Sequence, residues 1–186
     1  MDIQMKFVGV SEIVGNSDLG LLVLVDLQEK TQLVIPCDQH MIHQFEMRIK
    51  KEKPTDRLLP EVLFRQLMEE TDDQDFLIHI SGIKDGNYIT SLERISHPEV
   101  TPIRASDALL LAMIGKISIF VDEGLLRVQG VPFTRNTSAM PLPINVISNS
   151  MLQTALDKAI KEENYEMASH LRDELKRREK LDNEEK

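Results

Sequence analysis

The chain has 186 residues and a mass of 21.3 kDa, enough for one well-cored domain with an appendage and too little for two ordinary domains. Hydrophobic residues make up 41% and charged residues 28%, a folded rather than disordered composition, and no apolar run reaches the ~20 residues that span a bilayer. The net charge is −9, and residues 1–150 carry −7 of it through 14 Lys/Arg and 21 Asp/Glu, which argues against nucleic-acid binding by overall field unless a local basic patch or a metal ion supplies positive charge.

The chain opens Met1-Asp2-Ile3-Gln4-Met5-Lys6, without the basic-then-apolar layout of a secretory signal. Residues 6–13 read as a strand, followed by a turn at Gly15, Asn16, Ser17 and Asp18. Residues 21–27 form a nearly continuous apolar run, which suits a central strand buried on both faces. After the polar turn at 28–31, residues 32–35 complete an antiparallel meander that Pro36 is expected to stop. The single cysteine, Cys37, cannot form an internal disulfide and points to a reducing, cytoplasmic setting.

Asp38 stands at a helix N-cap position, with Met41, Ile42, Phe45 and Ile49 at helical spacing behind it. At 100° per residue, His40 and His43 fall on the opposite, solvated face, so they make a poor metal site. Residues 48–57 contain five basic and two acidic side chains, the one place where this acidic chain could touch a phosphate backbone, through Arg48, Lys50, Lys51, Lys53 and Arg57. Pro60 fits the first turn of a second helix whose stripe is Leu63, Phe64, Leu67 and Met68.

Two strands follow, residues 76–83 and 87–95, separated by Lys84-Asp85-Gly86. An Asp-Gly pair between such runs signals a hairpin, because Gly accepts the positive φ of a tight turn. Ser106 is expected to cap a third helix with Asp107 in its first turn. The helix, residues 108–114, is apolar all round and therefore buried; Gly115 closes it, and residues 117–121 return as a strand. Residues 123–128 suggest a last short helix. The fold expected for residues 1–130 is mixed α+β, a largely antiparallel sheet packed with three helices.

From Gln129 the composition shifts to Pro, Asn, Ser and Thr, read as a linker over 131–150. Residues 151–186 carry two short stripes, Leu152/Leu156/Ile160 and Tyr165/Ala168/Leu171/Leu175, broken at Glu163-Asn164. This is a helical hairpin too small to stay folded alone, so its apolar faces need the body, a second copy or another protein.

Residues 5–130 resemble the bifunctional nuclease domain family, small α/β proteins that degrade RNA and DNA. The carrying residues are Lys84-Asp85-Gly86, the run Ile103-Arg104-Ala105-Ser106-Asp107-Ala108-Leu109-Leu110-Leu111-Ala112, and Ile117-Ser118-Ile119-Phe120-Val121. The family usually has Arg-Pro-Ser-Asp-Ala in the second, so only Ala105 departs there; where it often has Thr-His-Asp, this chain has Leu59-Pro60-Glu61. The tail from Ala159 to Lys176 is similar to the UVR motif of excision-repair proteins and some protease adaptors, which implies protein contact by paired hairpins through Tyr165, Leu171 and Arg172.

The nuclease resemblance implies hydrolysis of phosphodiester bonds in nucleic acid, which needs an activated water and charge relief on the phosphoryl oxygens. Arg104, Ser106, Asp107 and Lys84 are the catalytic candidates. Asp107, Asp85 and Glu61 are the candidate ligands of Mg²⁺ or Mn²⁺, provided the 84–86 turn approaches the start of the Ser106 helix. The same residues also make an ordinary helix start and turn, with Arg104 pairing to Asp107. The rival reading is a non-catalytic adaptor: a scaffold that self-associates into a homo-oligomer or captures a protein partner through its tail, with no membrane role.

Overall fold

The computed structural model describes residues 1–13, 16–51, 54–68, 75–97 and 99–134, together with a subset of helical residues between 153 and 176. The chain divides into two compact units, Met1–Pro141 and Leu142–Lys186. The first is mixed α+β. Its elements are β1 (Asp2–Ile13), β2 (Asn16–Asp26), β3 (Thr31–Asp38), α1 (Gln39–Lys50), α2 (Leu59–Met68), β4 (Phe76–Lys84), β5 (Asn87–Arg94), β6 (Val100–Pro102), α3 (Ala105–Gly115), β7 (Ser118–Asp122), α4 (Glu123–Gln129) and β8 (Val131–Pro132). Four helices are therefore present among the described residues of this first unit, not three. The fourth is a real if short helix because Asp122 caps it, its Oδ1 accepting from the Leu125 N–H at 2.9 Å.

All eight strands form one sheet in the order β6-β5-β4-β7-β1-β2-β3-β8, antiparallel throughout except for β4 beside β7. The residue 21–25 run of β2 is buried to 1% exposure or less at every position, as expected of a strand covered on both faces. β5 and β3 are five strand spacings apart, about 24 Å in a flat sheet. Yet the Tyr88 hydroxyl of β5 donates to the Val34 carbonyl of β3 at 3.1 Å. The sheet is curled, and the apolar helix α3 lies in its hollow against β3, β4, β5 and β7.

Several local expectations are corrected. β3 runs through Pro36 to Asp38, because β8 pairs only with Thr31 and Gln32 and leaves Pro36 on a stretch bonded from one side. Asn16 already belongs to β2, so the turn before it is shorter than the composition suggested. Ser106 does not cap α3: the N-cap is Arg104, and Ser106 sits inside the helix at 3% exposure. The left-handed C-cap is Lys116 (φ 55°) rather than Gly115. Gly115 is demanded by packing instead, since a Cβ there would lie 2.1 Å from Cζ of Phe64. The Asp85-Gly86 turn has φ of 51° and 77°, as a primed hairpin turn requires. Val131 and Pro132, read as the start of the linker, add the eighth strand.

The β2–β3 turn is held by Asp26. Its carboxylate is buried and accepts from the backbone N–H groups of Gln28 (2.7 Å), Lys30 (3.3 Å) and Thr31. Burial pushes its pKa up, but these hydrogen bonds outweigh burial and leave it below the ordinary carboxylate range. Asp26→Ala strands the donors and is expected to lower the unfolding free energy by about 2–3 kcal/mol in a urea titration. Asp26→Asn, which keeps one acceptor oxygen, should lose less.

In the second unit, the described residues are helical on both sides of the expected break, with Ala168 buried and Tyr165 70% exposed. Residues 162–164, where the two stripes part, and residues 135–150, read as linker, lie outside the described residues.

Candidate functional site

Sequence places three chemically distinct groups at the start of α3, and the curled sheet decides what they face. A cleft of about 440 Å³ lies between the end of β3, the β4–β5 turn and the first turn of α3. Its lining includes Leu19, Pro36, Asp38, Asn87, Arg104 and Ser106, with Tyr88 at 9% exposure. The hairpin therefore does approach the start of α3, through Gly86, Asn87 and Tyr88.

Arg104 is the hub. Its Nε and Nη2 donate to Asp107 at 2.8 and 3.1 Å, and its Nη1 donates to Oδ2 of Asp38 at 3.1 Å. The Asp107 hydrogen bond, followed by the charges of both carboxylates, raises its already high pKa further. A guanidinium has five N–H donors, so two remain beyond these three bonds. Its side chain is 57% exposed. No side chain caps α3, so its first N–H groups lack a side-chain acceptor. Ser106, 97% buried, lines the cleft from the first turn of α3.

Asp38 was legible only as an N-cap, and it is one: Oδ1 accepts from the Met41 N–H at 2.8 Å. Its other oxygen reaches Arg104 across 66 residues of sequence, a link with no local signal. The Met41 hydrogen bond, then Arg104, hold its carboxyl below the usual range. Cys37 is buried in the same wall, where burial and the Asp38 charge push its thiol up to about 12. It is not a nucleophile at neutral pH.

Two residues expected to meet substrate or metal meet each other. Arg48 donates from Nε and Nη2 to the two oxygens of Glu61, both at 2.9 Å, and from Nη1 to Gln44. The two side chains are only 6% and 13% exposed. Arg48 stands ten residues beyond Asp38 along α1, about 15 Å away by helical rise, so Glu61 does not share a cluster with Asp107. This pair also fixes the roll of α2: Glu61 and Phe64 face inward, and Leu63, placed in the core stripe by sequence, is 54% exposed. Asp85 is an exposed turn residue whose carbonyl accepts from Asn87, and neither it nor Lys84 lines the cleft. Among the described residues no three His, Cys, Asp or Glu side chains gather as a metal cage. Lys50 pairs with Glu46 at 3.3 Å, Lys51 and Arg57 are exposed, and Lys53 and Leu171 lie outside the described residues. Arg172 and Tyr165 are exposed on the tail.

The model of the bifunctional nuclease domain matches residues 22–134, more than half of the chain and nearly every element that lines the cleft. The chain belongs to the bifunctional nuclease domain family. Among curated proteins, none matches it significantly. The family match covers Arg104, Ser106 and Asp107 as well as Asp38 and the 84–88 turn, whereas β1, in the middle of the sheet, precedes it. No helix among the described residues of this bifunctional nuclease domain protein is long and apolar enough to cross a membrane.

Proposed function

We propose that this chain hydrolyses phosphodiester bonds of DNA or RNA in the cleft at the start of α3. The observation that carries the reading is the meeting of one guanidinium, a helix start without a side-chain cap and the Ser106 side chain on a single cleft within the family-matched stretch. Arg104 offers its two remaining N–H donors to a phosphoryl oxygen and relieves charge as it builds there. The α3 N–H groups and Ser106 bind the same anion from the other side. Lys84, at the end of β4, reaches a neighbouring phosphate, and Lys50, Lys51, Lys53 and Arg57 draw the strand in.

The three carboxylates first named do not form one cation site, because Glu61 is held by Arg48. A sparser mode fits the donors present: Mg²⁺ is usually held by one or two carboxylates with substrate phosphates completing the shell. Asp107 and Asp38, gathered on one guanidinium, are the residues that would hold Mg²⁺ or Mn²⁺, which supplies charge neutralisation and a water of lowered pKa when bound. The test is cleavage of DNA and RNA oligonucleotides by the purified protein with each metal and with chelator. Activity should need the metal and vanish in Asp107→Ala while the far-ultraviolet circular dichroism is unchanged. Cleavage in chelator, or full activity in that variant, overturns the reading.

A second reading is favoured by the tail, where Tyr165 and Arg172 stand exposed on helical segments. In it the tail is a UVR-type motif that pairs with a second copy or a protein partner, and the body is a scaffold. Deleting residues 151–186 separates the two. If the nuclease reading holds, cleavage persists in the deletion and only self-association, read by light scattering, is lost. If neither form cleaves any substrate, the scaffold reading replaces it.

A further inference from the structure

The shape and charge of the cleft restrict what nucleic acid it can take, and this inference rests on the nuclease reading above. Duplex DNA presents a charge about every 1.7 Å, and proteins hold it by a ladder of Lys and Arg contacts to successive phosphates. The cleft has no such ladder. Arg104 is the one cation that lines it among the described residues, and Asp38 lies in the same lining. Asp107 sits beside it on the same guanidinium. Within the cleft Arg104 can compensate one phosphate, and Lys84 lies outside the lining.

Apart from Asn87 and Ser106, the rest of the recess is largely apolar. Leu19, Ile35, Pro36, Tyr88 and Ala105 form its walls, from four separate elements. At about 440 Å³ it matches a ligand-sized site rather than an open track. A base inside a duplex is stacked and cannot enter such a recess until it leaves the stack, which costs a few kcal/mol. An unpaired base enters freely and adds apolar burial to the single phosphate contact.

We propose that the cleft binds one unpaired nucleotide, with its phosphate at Arg104 and the α3 N-terminus and its base in the Leu19–Pro36–Tyr88 recess. The enzyme is then selective for single-stranded nucleic acid and unpaired ends. Most of the wall is nonpolar, so the selection is by strandedness more than by base identity.

Two measurements on the full chain test this independently. The first is cleavage of one labelled oligonucleotide, free and annealed to its complement, where the free strand should be cut at least about tenfold faster because unstacking opposes the duplex. The second needs no catalysis. The chain has two tyrosines and no tryptophan, so in a Tyr165→Phe variant all tyrosine emission comes from Tyr88 in the recess. Uridine 5′-monophosphate should change that emission saturably, inorganic phosphate should not, and Leu19→Glu should weaken the nucleotide response at least about tenfold. Equal cutting of free strand and duplex overturns the strand selectivity while leaving the nuclease reading intact. A uridine monophosphate response without cleavage of any strand overturns the nuclease reading and upholds the nucleotide site. No response from Tyr88 overturns the site itself, whichever strand is cut.

Discussion

Glu61→Ala is expected to lower the unfolding free energy by about 3–5 kcal/mol, and the Tm by on the order of 10 °C, because it strands a buried guanidinium. Arg48 is 6% exposed; its bonds to both Glu61 oxygens tie α1 to α2, and those to Gln44 hold it within α1. Removing one partner leaves the other charged without water, whereas removing both removes the desolvation problem as well. The double change Arg48→Met with Glu61→Leu should therefore recover most of the loss in a urea titration. The result separates two roles for these residues. A structural pair predicts that Glu61→Ala reduces stability first, with activity falling only as far as the folded fraction falls. A cleavage defect at unchanged stability would instead return Glu61 to the metal site.

Arg104→Met is expected to do the opposite. Cleavage should fall by about 10²–10³-fold, the range seen when one charge-stabilising donor is removed from a reacting oxyanion. Stability should change little, because the side chain is 57% exposed and surface ion pairs contribute at most about 1 kcal/mol. Arg104→Lys should recover little of the activity, since a single ammonium cannot bridge Asp107 and Asp38 and still present a planar pair of N–H groups to phosphate. Full activity in Arg104→Met would remove the cleft from the chemistry altogether.

The same cluster sets an expected pH response. The Asp38 carboxyl is held below its ordinary value by the Met41 N–H and then by Arg104, so the contribution of this bond to stability is complete above the unfolded pKa near 4. It is lost only as pH falls through the lower folded value. Asp26 behaves alike, its hydrogen bonds overcoming burial. Stability measured by chemical denaturation should therefore be flat in its dependence on these two groups from about pH 5 to 8 and decline below about pH 4. An Asp38→Asn, Asp26→Asn double variant should flatten that acid limb.

Much of the fold was legible because its signals are local. The 21–27 run reads as a doubly covered strand from nearly continuous apolar residues; the structure buries residues 21–25, and Leu27, past the end of β2, is 57% exposed. Asp85-Gly86 reads as a tight turn because two adjacent residues must take positive φ, and they do. The all-round apolar α3 had nowhere to lie but in the hollow of the sheet. The errors arose where a residue's role depends on a distant neighbour. Gly115 looked like a helix stop, and the ring of Phe64 is what requires it. Leu63 looked like core, and the Arg48–Glu61 pair rolls it outward. Ser106 looked like a cap, and it lies two residues past the N-cap, inside the helix.

For the site, the sequence by itself determined the parts: a family-matched run with Arg104, Ser106 and Asp107 at a helix start, and a hairpin turn at 84–86. Helical spacing, turn chemistry and motif are properties of neighbouring residues, so composition and order suffice to state them. Only the tertiary structure decided which groups share a cleft. The curl of the sheet carries Tyr88 to β3 and Asp38 to Arg104, and the length of α1 carries Glu61 away to Arg48. Those pairings are set by strand order and helix length together, and no spacing along the chain encodes a distance between residues 66 positions apart.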